Sequence, residues 1–179
     1  MKMKYYILLI IFYNICFSQK ILIPMDHLQS NHLKAYGIAF LHLEKSNNVD
    51  WLLNYRGGSF LLDDVDELQN TCKIRGVSYE LINSWALSEI LSTIELNNME
   101  IILLEKVPKI AVYSPPNKQH WDDAVTLALT YADIKYDVIF DDEVINNKIN
   151  DYDWLHLHHE DFTGQYGKFY RSYRNQIWY

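Results

Sequence analysis

The stretch from Tyr152 to Gly164 holds the densest set of side chains able to do chemistry. His156, His158, His159, Glu160 and Asp161 follow a short apolar run and precede a Thr-Gly turn. On an extended strand, alternation sends His156 and His158 to one face and Leu155 and Leu157 to the other, with His159, Glu160 and Asp161 entering the loop beyond. Three readings suit this pattern. Two imidazoles two residues apart can share a metal ion with a third imidazole or a carboxylate. The same imidazoles can serve as general acid or base beside Glu160. In the third reading, Glu160 or Asp161 fixes the imidazole tautomers and caps a following helix, a purely structural role. The pattern partly matches the His-x-His-x-Asp-His motif of metallo-β-lactamase-like hydrolases, but Glu160 and Asp161 stand where that motif has Asp-His, which removes a ligand. His156, His158 and Glu160 are therefore the candidate catalytic residues, with no metal ligand and no cofactor assigned.

Two other loops qualify as ligand contacts. Arg56-Gly57-Gly58-Ser59 follows the apolar run VDWLLNY, and its backbone amides can cradle an anion beside the Arg56 guanidinium. It lacks the full Gly-x-Gly-x-x-Gly or Walker spacing, so a plain turn is the competing reading. Ser114 to His120 follows the run KIAVYS. Loops at the carboxyl ends of parallel strands face one crevice. That geometry makes Arg56, Gly57, Gly58, Ser114, His120, His159 and Asp161 candidate substrate contacts. A binding module without catalysis is the alternative, using Trp121, Trp154, Tyr166 and the histidines to hold a carbohydrate or peptide.

The elements that must position these residues alternate in type. KILIP reads as a buried strand, and Ser30 or Asn31 can cap a helix carrying Leu33, Tyr36, Gly37, Phe40 and Leu41 on one face. VDWLLNY is a second strand, Leu61 to Arg75 a helix closed by Gly76, Val77 to Ile82 a third strand, and Asn83 or Ser84 the cap of another helix. MEIILLEKVP fits either a strand or a connector. KIAVYS, an amphipathic helix from Trp121 to Ala132 with Asp122 and Asp123 in its first turn, Tyr136 to Phe140, Glu143 to Lys148 as a short helix, Trp154 to His158 and a helix with an aromatic face from Tyr166 to Tyr173 complete the chain. This order predicts an α/β fold with a doubly wound, mostly parallel sheet built from two βαβαβ halves, residues 19–108 and 109–179.

Composition bounds the partners. The chain has 179 residues, 49% hydrophobic, enough for a substantial core. A net charge of -7 without a basic stripe argues against nucleic acid. Residues 1–18 combine Lys2 and Lys4 with an apolar run and small residues at Cys16 and Ser18, which reads as a signal peptide for export to the periplasm or beyond. Its removal takes Lys2 and Lys4 and shifts the formal charge from -7 to -9. On this reading the chain meets a membrane only through that leader, and its partner is a small molecule, a peptide or a carbohydrate. Cys72 is then the sole cysteine, expected as a small buried residue. The aromatic ending RNQIWY leaves a helix face in need of a neighbour, and predicts that the domain continues past Tyr179.

The runs ILIPMD, NHLKAYGIAF, WLLNYRGGSF, IRGVSYE, KIAVYSP, WDDAVTLALTYA, YDVIFDDEV and YDWLHLHHEDFTGQYGKFY span nearly all of the chain after its leader. They resemble the amino-terminal part of exported Bacteroidetes proteins labelled asparagine synthetase B. The resemblance implies a class I glutamine amidotransferase-like (flavodoxin-like) fold and amide hydrolysis, with the histidine loop lining a site whose cysteine nucleophile lies in a later segment. An amino-terminal cysteine and a Ser-Gly-Gly-x-Asp-Ser loop, both needed for ATP-dependent asparagine synthesis, are missing from these residues.

Overall fold

A computed structural model describes residues 19–65, 67–116, 123–157 and 165–178. Two sheets organise them. The first contains β1 (Lys20–Ile23), β2 (Val49–Leu53), β3 (Ser59–Asp63), β4 (Glu80–Ile82) and β5 (Glu100–Leu104) in the order β4-β1-β3-β2-β5. Every neighbouring pair in it is antiparallel. The second contains β6 (Ile110–Tyr113), β7 (Asp137–Ile139) and β8 (Trp154–Leu157) in the order β7-β6-β8, and both of its pairs are parallel. The expected doubly wound, mostly parallel sheet is therefore incorrect: the larger sheet is antiparallel and only the small one is parallel.

The cause lies at the end of β2. Asn54, Arg56, Gly57 and Gly58 all take positive φ, so the chain reverses within a few residues and Ser59 to Asp63 forms a strand that takes in the start of the helix expected from Leu61 to Arg75. A Cβ on Gly57 would lie 2.4 Å from the carbonyl oxygen of Met25, so a side chain is excluded by contact as well as by conformation. The Met25 amide donates to the Arg56 carbonyl at 3.1 Å and ties this turn to the end of β1. β3 then slots between β1 and β2, which run parallel to each other on either side of it.

Helices cover both faces of the five-stranded sheet. α1 (His32–Glu44) and α2 (Leu68–Arg75) bury Ala35, Ile38, Ala39, Leu68 and Cys72 against Ile21, Ile23, Val49, Phe60 and Leu62. α3 (Ser84–Leu96) buries Ile90 and Ile94 against Leu22, Leu52, Leu61 and Ile82 on the other face. Asn31 and Asn83 accept amide hydrogens at the starts of α1 and α3, and Gly76 closes α2 in a left-handed conformation. Among the described residues, no helix is long and apolar enough to cross a membrane. The leader read at residues 1–18 lies outside them.

In the parallel unit, α4 (Ala124–Tyr131) links β6 to β7, and α5 (Asp141–Ile145) with a 3-10 turn at Lys148–Asp151 links β7 to β8. α4 is also the hinge plate between the two units. The Ala132 carbonyl oxygen approaches Gly37 of α1 so closely that an added Cβ would sit 1.9 Å away. Around that contact, Asn31 donates to the Tyr131 hydroxyl at 2.6 Å, Lys135 pairs with Glu44 at 2.9 Å, and Arg75 reaches Asp133 at 3.3 Å. Gly37→Ala is expected to force the helices apart and destabilise the protein by about 1–3 kcal/mol, read as a lower urea midpoint; an unchanged midpoint would show that the approach is not a constraint.

Candidate functional site

In a parallel sheet ordered β7-β6-β8, the chain leaves β6 toward one side and returns on the other, so the crevice at the carboxyl ends of β6 and β8 is a topological switch point. Two of the candidate residues within the described chain, Ser114 and His156, lie there. His156 lies on β8 opposite Val112 of β6, and the pleat puts their side chains on one face. Ser114 follows Tyr113, the last paired residue of β6, and continues that face. Its amide donates to the Ile139 carbonyl at 3.0 Å, the residue is 1% exposed, and its buried hydroxyl has no hydrogen-bond partner among the described residues. A buried hydroxyl without a partner is costly, and substrate polar atoms are one way to satisfy it.

Asp123 completes the site. It is the N-cap of α4, and its Oδ1 accepts from the amides of Val125 at 2.7 Å and Thr126 at 3.2 Å. The same oxygen meets His156 Nε2 at 2.9 Å. Burial raises the carboxyl pKa, but the Thr126 and Val125 amides and the His156 imidazole outweigh it, holding Asp123 below the ordinary 3.8. An ionised Asp123 only accepts, so Nε2 carries the hydrogen and donates. The neutral imidazole then keeps its lone pair on Nδ1, the arrangement a general base requires. A metal ligated through Nε2 would have to displace this hydrogen bond. Among the described residues, no group of three or more His, Cys, Asp or Glu could hold a metal ion.

Arg56, Gly57 and Gly58 stand elsewhere, in the β2–β3 turn of the antiparallel sheet. Arg56 donates from Nε to Asp26 at 2.8 Å and from Nη1 to Glu80 at 2.8 Å. Burial lowers the Arg56 pKa, and the two carboxylates outweigh it and raise it. With both carboxylates engaged and a strand following instead of a helix, the turn has neither the open cation nor the helix N-terminus that an anion cradle uses. His120, His158, His159, Glu160 and Asp161 lie outside the described residues, as do Trp121 and the side chain of Tyr166.

Asp123 lies in this crevice although the sequence places it only in the first turn of a helix, as a charge the macrodipole favours, with no link to His156. The signal available was its position as Asp before the helical run AVTLALTY, an N-cap at the end of a βα loop. Contact with a residue 33 positions away is not encoded in that local pattern.

Outside this site, two reactive groups are buried in the larger unit. Cys72 is fully buried, and burial pushes its thiol up to about 11, which makes it a poor nucleophile. His42 of α1 is 3% exposed, and its Nε2 lacks a hydrogen-bond partner beside a cavity of about 450 Å³. Burial lowers its pKa, Lys45 and Lys20 add to this, and Asp63 opposes.

No protein-family model matches the chain, and no curated protein or solved structure matches it either.

Two pH dependences follow. The Asp123 charge contributes stability that is fully present above the carboxyl's unfolded pKa and is lost as pH falls through its lower folded value. Asp123→Asn keeps an N-cap, so urea titrations should show it less stable than wild type near neutrality, with the difference closing as pH falls through the lowered folded value; a difference that persists in acid would assign the loss to shape instead of charge. For His42, the unfolded imidazole takes up a proton that the folded one refuses, so wild-type stability should fall as pH drops below 6.5. His42→Leu should lose that slope, and parallel profiles for the two proteins would count against it.

Proposed function

We propose that the chain carries a small-molecule site at the carboxyl end of its parallel sheet, where His156, oriented by Asp123, acts as general base and then general acid in amide hydrolysis. The observation that carries this reading is the His156–Asp123 pair at the switch point, Nε2 to Oδ1 at 2.9 Å. Nδ1 takes the proton of the attacking hydroxyl, thiol or water and returns it to the leaving amine, while the Asp123 carboxylate stabilises the imidazolium between the two steps. The unpartnered Ser114 hydroxyl supports a polar substrate at the same edge. The sequence resemblance supports an amide as substrate class and export as destination.

The test is release of ammonia or amine from glutamine, asparagine and chromogenic anilides. Wild type should turn over at least one of them, and His156→Ala should lower the rate by about 10²–10⁴-fold. Equal turnover in His156→Ala, or none in wild type, refutes the proposal.

Trp154 favours a second reading. It shares the His156 face of β8, two residues away, and is 42% exposed, a ring available for stacking on a sugar or peptide. Tryptophan fluorescence that responds to such ligands with no turnover selects a binding module.

A further inference from the structure

β5 is the edge of the five-stranded sheet next to β2, and no strand pairs with its outer side among the described residues. Proteins usually blunt such an edge with charge, proline, a bulge or short length. The opposite edge follows this rule: β4 has three residues and begins at Glu80, which is ion-paired with Arg56. β5 does not. Between Glu100 and Glu105 it runs Ile-Ile-Leu-Leu, with Ile101 and Leu103 41% and 52% exposed on one face and Ile102 exposed on the other.

We infer that β5 is a self-association surface, where a second copy of this chain pairs antiparallel about Leu103 and joins two five-stranded sheets into one. The pleat restricts the register. Under a two-fold axis normal to the sheet, directly opposed residues must share a face, so their numbers must both be odd or both be even. Centring on Ile102 sets Glu100 against Leu104. Centring on Leu103 sets Glu100 against Lys106 of the other copy twice over, Lys106 lying two residues past the end of β5, with Ile101 against Glu105, Ile102 against Leu104 and Leu103 against itself. Neither Glu100 nor Lys106 has an ion-pair partner among the described residues, so both charges are available. The apolar run supplies contact area, and the two Glu-Lys pairs choose the register.

Sedimentation velocity of the purified protein over a concentration series tests this. A reversible dimer is expected. Leu103→Lys, which sets two ammonium groups against each other at the axis, should leave a monomer with an unchanged far-ultraviolet spectrum. Glu100→Lys should weaken association about tenfold, and Glu100→Lys with Lys106→Glu should restore it. The charge exchange leaves the apolar residues intact, so it keeps the test readable if Leu103→Lys does not fold. A wild-type monomer at every concentration, a dimer indifferent to Leu103→Lys, or failure of the double exchange to restore a weakened dimer overturns the inference.

Discussion

The reversal at Asn54 to Gly58 is the constraint on which the rest of the structure depends. Four residues with positive φ turn the chain back at the end of β2, and the Arg56 carbonyl is held by the Met25 amide while the Arg56 guanidinium is held by Asp26 and Glu80. That clamp joins the ends of β1 and β2 to the start of β4. It also dictates that Ser59 to Asp63 enters the sheet between β1 and β2, because a chain reversed this sharply can only pair with the strand it has left. Helix placement follows, with α1 and α2 on one face and α3 on the other.

α4 carries the consequences of that frame into the candidate site. Its carboxyl end is wedged against Gly37 and surrounded by polar contacts to α1 and α2. Its amino end is Asp123, where one carboxylate oxygen caps the helix and orients His156. The position of the imidazole is thus coupled through eight helical residues to the packing between the two units. The carboxylate that orients His156 is thus fixed by a helix terminus and not by a loop.

Much of the local structure was legible in the residues. Asn31 and Asn83 as caps, Gly76 as a terminator, the apolar runs of β1 and β6, and the helix after Asp123 each follow from a preference that acts within a few residues. The sheet was not legible for a physical reason. Antiparallel strands covered by helices on both faces are apolar on both faces, so Ile21 to Ile23 reads like a strand of a parallel sheet. Leu61 to Asp63 reads as the start of a helix because Leu61 and Leu62 suit either element, and only the left-handed turn before them decides.

The candidate site divides the same way. By itself the sequence determined that His156 sits at the end of a strand, on the face opposite Leu155 and Leu157, because alternation is a local property of extended backbone. Only the tertiary structure decided that β8 lies beside β6, that the β6–β8 crevice is the switch point, and that Asp123 meets His156. It also removed Arg56 from that crevice, by neutralising its charge on Asp26 and Glu80. Pairings across 24 to 33 residues depend on strand order and helix docking, and these are set by burial summed over the whole chain, not by any short motif.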